Sequence, residues 1–132
     1  MSKGEDKIAR ILHDANIPYE REKVFPTLRN GKLRFDFYLP GSGVLIECDG
    51  LQHFKQVKKF QPTIQDFNHA KQNDYFKNSY ALSHNLSLFR IPFWEIDNIK
   101  TVADLFSPKY KVLTKWHNDI IYREYLSRNL VK

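Results

Sequence analysis

The stretch Arg34–Phe54, RFDFYLPGSGVLIECDGLQHF, constrains this chain most. It sets Asp36, Glu47, Asp49 and His53 within eighteen positions, inside segments with the apolar spacing of strands. Residues 33–39 place Leu33, Phe35, Phe37 and Leu39 at alternate positions, the period of a strand with one buried face. Asp36 then falls on the opposite face, with Arg34 and Tyr38. Pro40, Gly41 and Gly43 supply turn chemistry. VLIECDG resumes as a second strand, with Val44, Ile46 and Cys48 on one face and Leu45, Glu47 and Asp49 on the other. The short connection reads as a hairpin, and antiparallel pairing brings Asp36 towards Glu47 and Asp49. Same-face neighbours on a strand lie about 7 Å apart, within reach of one shared ion. One acid on an outer strand face is ordinarily just solvated. Three on one hairpin, with His53 at its mouth, point to carboxylates held for a cation, because buried acids are costly unless paired or bound. Such a set suits Mg2+ activating water against a phosphodiester.

The whole chain is compatible with that chemistry. Its 132 residues make one domain by length. A hydrophobic content of 42% with ten Phe is enough for a core, and a net charge of +6 suits a polyanion such as DNA. One cysteine excludes an internal disulfide framework and a Cys-rich zinc site. Cys48 reads as a small buried hydrophobe. No apolar run approaches the roughly 20 residues of a membrane span, so no membrane partner is expected. The polar start MSKGEDK lacks a signal peptide's apolar region, which leaves the cytoplasm as the expected compartment.

Along the chain, residues 3–15 predict a helix with Ile8, Ile11, Leu12 and Ala15 on one stripe. Ser2 and Glu5 fit its capping box; Glu5 either only caps or reaches over the sheet edge towards the acids. Residues 19–25 predict a first strand, with Glu20 and Glu22 as surface charges. Residues 51–64 carry Lys55, Lys58 and Lys59 among Phe54 and Phe60: a phosphate-contacting, DNA-binding loop, or a solvated loop with two core anchors. Residues 63–83 predict a helix with Phe67, Ala70, Asp74, Lys77 and Ala81 on one face. Asp74 and Lys77 either pair with each other, or support the site, Lys77 towards phosphate and Asp74 orienting His53 or a water. LSLFRIPFW, 86–94, predicts a last buried strand, and 96–106 and 116–130 predict two more helices. Residues 107–132 form a basic extension, with six Lys or Arg against two acids. His13, His69, His84 and His117 read as ordinary surface or core histidines. The expected class is α+β: a central mixed sheet of about four strands, a three-stranded antiparallel meander plus one further strand, flanked by helices.

That order, with FDFYLP, IECDGLQHF, NDYFKN and LFRIP in succession, resembles the PD-(D/E)xK nuclease superfamily over roughly residues 4–100. More closely it is similar to the branch holding the very-short-patch repair endonuclease and the phage and intron homing endonucleases with a Glu–Asp–x–His–Asp site. The resemblance implies a restriction-endonuclease-like core and a Mg2+-dependent DNA endonuclease, with Mn2+ able to substitute. It implies Glu5 as the helix-one glutamate and Asp36 as the main metal ligand, with Glu47 and Asp49 at the variable central position of the second core strand. It implies His53 as the site histidine, Asp74 as the aspartate of the following helix and Lys77 as its basic companion. The superfamily's acid-x-Lys signature is broken, since Glu47-Cys48 is followed by Asp49; His53 or Lys77 would fill the role. A homing or mobile-element enzyme of a bacterial or phage-infected cell is the leading setting, and a mismatch- or structure-specific nicking enzyme the alternative. A double-strand break would need a homodimer or two nicks. A silent nucleic-acid-binding module is the reading from another class.

Overall fold

The computed structural model describes residues 2–57 and 61–131, with side chains described as far as Arg128. The first helix, α1 (Lys3–Asp14), starts where the Ser2 side chain accepts the Glu5 N–H, and it buries Ile8 and Leu12. Three strands follow: β1 (Glu20–Val24), β2 (Arg34–Leu39) and β3 (Val44–Asp49). A 3-10 turn, Leu51–His53, leads towards helix α2 (Ile64–Ser83), which opens on a Thr63–Asp66 capping box. Strand β4 (Ser87–Pro92) comes next.

The sheet order is β1-β2-β3-β4. The first three strands pair antiparallel, and β4 pairs parallel to β3 in the register Glu47↔Arg90 and Asp49↔Pro92. A parallel pair requires a crossover, and α2 supplies it. The fold is therefore α+β, a four-stranded mixed sheet flanked by helices. Among the described residues no helix is long and apolar enough to cross a membrane.

Two apolar clusters cover the sheet. One joins Ile8 and Leu12 of α1 with Phe37, Leu39, Ile46 and Ile91. The other joins Ala81 of α2 with Phe35, Leu45 and Leu88. Phe35 and Phe37 thus belong to different layers, where simple alternation places them on one face. The regular period breaks at Asp36. The β1–β2 register runs Arg21↔Phe37 and then Lys23↔Phe35, with no Glu22↔Asp36 rung, and Glu22 is left-handed at φ 51°. A non-glycine residue in that region marks a local distortion that the surrounding structure must hold.

Residues 96–106 do not form one helix. A 3-10 segment (Phe93–Asn98) precedes a short α3 (Val102–Leu105). Between them Ile99 is extended and fully buried, and a Thr101–Asp104 capping box starts a new helix. The outer edge of β4 is partly covered by an antiparallel bridge from Phe89 to Lys111, with the Val112 N–H donating to the Leu88 carbonyl at 2.8 Å. Helix α4 (His117–Val131) packs back on α2.

Candidate active site

The distortion at Asp36 builds the first half of the site. The β2–β3 ladder pairs Phe37–Leu39 with Val44–Ile46. Beyond it, side chains stand in for rungs. The Asp36 N–H donates to Glu47 Oε1 at 2.7 Å, and Asp36 Oδ2 accepts the Cys48 N–H at 2.7 Å. Each carboxylate is thereby fixed on the other strand's backbone. Lys77, from α2, donates to Glu47 Oε2 at 3.1 Å. Asp36 has no cation within ion-pair distance among the described residues. Burial and the neighbouring Glu47 and Glu5 carboxylates push its pKa up to about 8, against the Cys48 N–H bond and Lys77. A pKa near 8 favours the neutral form of Asp36 at neutral pH.

The second half surrounds Arg90, which is 1% exposed in the middle of β4. Its guanidinium meets Asp49 at 2.8 Å and Asp74 at 3.4 Å, and its Nε donates to Asn78 Oδ1 at 2.8 Å. Asn78 donates to Asn118 Oδ1 at 2.8 Å, and Asn118 Nδ2 reaches back to Asp74 at 3.4 Å. This ring ties α2, β3, β4 and α4 together. Its outer member is His53, whose Nδ1 lies 3.0 Å from Asp74 and 3.6 Å from Asp49. Burial works against charge on His53, but the Asp49 and Asp74 carboxylates outweigh it and push its pKa up to about 9. Burial likewise opposes charge on Asp74, yet Arg90 and His53 hold it down to about 2. His53 is thus an imidazolium locked on Asp74.

That pairing yields a direct expectation. The His53 imidazole signals should titrate near pH 9 by NMR, and Asp74→Asn should shift the midpoint clearly downwards. Because the folded pKa is raised, the stability the pair contributes is complete below about pH 6.5 and is lost as pH rises through about 9. A wild-type midpoint near 6.5 would break this assignment.

The structure places the expected residues as follows. Asp36, Glu47 and Lys77 meet in one group; Asp49, His53 and Asp74 meet in the other. Asp74 and Lys77 do not pair with each other but turn to different partners. Glu5 serves two ends: it interacts with Ser2 at the cap and pairs with Arg21 at 3.0 Å, while its charge is felt by Asp36. Lys55 is exposed. Lys58 and Lys59 lie outside the described residues. Sequence spacing alone does not single out Arg90, Asn78 or Asn118. For Arg90 a signal existed: one arginine in the apolar run LFRIP must find acids if that strand is buried. Asn78 and Asn118 carry no such signal. His117 is buried, and burial and Arg90 lower its pKa to about 4.

The donor set suits a hard cation. Asp36 and Glu47 offer carboxylate oxygens, and the raised Asp36 pKa reflects a negative charge that is costly there and that a bound cation would stabilise. Among the described residues no three His, Cys, Asp or Glu converge as a complete cage. Mg2+ does not ask for one: it is ordinarily held by one or two carboxylates and fills its shell with waters and substrate phosphate.

No family model, no curated protein and no solved structure matches the chain.

Proposed function

We propose that this protein is a Mg2+-dependent DNA endonuclease of the PD-(D/E)xK type, with Mn2+ able to replace Mg2+. The observation that carries the reading is Asp36: its backbone-fixed carboxylate is paired with Glu47, lacks a cationic partner among the described residues and holds its proton to about pH 8. Carboxylates with pKa values raised this far cluster at functional sites.

Asp36 and Glu47 would hold the metal, and Asp36 would give up its proton on binding it. Mg2+ supplies Lewis-acid polarisation of the phosphodiester and an acidified water when bound. Lys77 lies against Glu47 and offsets charge developing on the phosphate, in place of the lysine missing from the acid-x-Lys signature. His53 is charged at neutral pH, so it serves as proton donor to the leaving oxygen rather than as base. Its Nδ1 is held by Asp74, which leaves Nε2 for that transfer. Asp49, paired with Arg90, belongs to the scaffold behind His53. The net charge of +6 supports association with DNA through its phosphates. A homing or mobile-element role and a repair nicking role both use this chemistry.

The test is incubation with supercoiled plasmid, single-stranded DNA and bulged duplexes, in Mg2+ or EDTA. Nicked or linear product in Mg2+ alone supports the reading. Salt-sensitive binding to all three with no cleavage of any overturns it in favour of a binding module.

A further inference from the structure

A cavity of about 490 Å³ opens beside the acids, between the start of α1 and the 3-10 segment Phe93–Asn98, over the ends of β3 and β4. Its volume lies in the range of small-ligand sites, about 300–1,000 Å³. Ile91, Phe93 and Ile96 give it an apolar side, and Glu5, Gln52 and Asp97 bring polar groups to it. Phe93 is 41% exposed, although it is a large aromatic. Cys48 and Asp49 also line the cavity, so it is continuous with the strand that carries Glu47.

We propose that this cavity receives one nucleobase unstacked from the DNA next to the scissile phosphate. The proposal rests on the nuclease reading and adds its substrate class: distorted DNA carrying an extrahelical base. Three features select that occupant. An apolar side with an exposed aromatic ring accepts a base face, and stacking on such rings is a main source of affinity for unpaired bases. The carboxylates of Glu5 and Asp97 accept hydrogen bonds but offer none, and they repel a phosphate; the part of the nucleotide that enters is therefore the base. Lys3, exposed and also lining the cavity, is available to the backbone phosphate of the same nucleotide. Carboxylate acceptors match exocyclic amino groups, so adenine, cytosine and guanine are favoured over thymine, which has none.

Gly50 fits the same design. A Cβ there would meet Gln52 Oε1 at 2.8 Å, so the absence of a side chain lets the Gln52 amide lie against the strand end.

The experiment is equilibrium binding in EDTA, where no cleavage occurs, to a short duplex with a single bulged adenine, a bulged thymine or no bulge. Bulged adenine should bind about tenfold tighter than the paired duplex, with thymine in between. With 2-aminopurine as the bulged base, its fluorescence should change on binding. Phe93→Ala should remove most of the bulge preference. Asp97→Asn, an exposed substitution that leaves the fold intact, should narrow the gap between adenine and thymine. Free deoxyadenosine monophosphate at the same concentration should not compete, which separates a base presented by DNA from a free nucleotide. Equal affinity for bulged and paired duplex, or a preference that survives Phe93→Ala, overturns the proposal. Neither outcome touches the nuclease reading, which is decided by plasmid cleavage in Mg2+.

Discussion

Asp36→Asn should abolish cleavage and at the same time make the metal-free protein more stable in alkali. The loss of activity is expected to reach about a thousandfold or more, since the carboxylate proposed to hold the metal is gone and metal-ion catalysis supplies several kcal/mol. The gain in stability follows from the sign of the pKa shift. In the folded chain Asp36 ionises near pH 8 instead of 3.8, so the folded state holds a proton that the unfolded state has released. Its favourable contribution is complete below about pH 4 and drains away as pH rises to about 8. Asparagine does not titrate, and its carbonyl can still accept the Cys48 N–H. The variant should therefore match wild type near pH 4 and exceed it by about 2–4 kcal/mol at pH 8–9, seen as a higher thermal midpoint in EDTA. Saturating Mg2+ should narrow the difference by stabilising wild type alone. A variant no more stable than wild type at pH 9 would show that Asp36 carries no such load.

Arg90→Met should have the largest effect on folding. The guanidinium is 1% exposed and holds Asp49, Asp74 and Asn78. Removing one partner of a buried ion network leaves carboxylates without compensation, at a cost of about 3–5 kcal/mol. Urea denaturation at pH 7 should show this as a large fall in the midpoint. Asp74 has a lowered pKa, so its contribution is present above pH 3.8 and disappears as pH falls through about 2; the deficit should narrow over that window. Adding Asp49→Asn and Asp74→Asn to Arg90→Met should recover part of the loss, because neutral amides need no counter-charge. A wild-type midpoint for Arg90→Met alone would mean that the network contributes little.

These two residues differ in how far the sequence revealed them. Asp36 stood out because an acid in an alternating strand, two short steps from IECDG, is a local pattern. So did the α+β order, the hairpin, the α2 face bearing Asp74 and Lys77, and the cap at Ser2. Yet simple alternation places Phe35 and Phe37 on one face, whereas they pack in opposite layers. The strand is distorted at Asp36, where side chains replace backbone rungs, and period counting assumes an undistorted strand. The 96–106 segment failed for another reason: its apolar spacing is helical, but Ile99 is buried in extended backbone and a second cap intervenes. Arg90 was legible as an anomaly but not as the hub. Asn78 and Asn118 are separated by forty positions and became partners only through the docking of α4 on α2.

Neighbours a few residues apart impose strand and helix periods, turns, caps, and the gathering of Asp36 and Glu47 on one hairpin, and these are legible in the sequence. Which acid meets which cation is set by how distant segments pack. Glu47 takes Lys77, Asp49 takes Arg90, Asp74 takes both Arg90 and His53, and Asp36 is left with a proton. Charge state depends on burial and on partners brought from distant segments. The same carboxyl group that ionises near pH 4 in water sits near 2 at Asp74 and near 8 at Asp36.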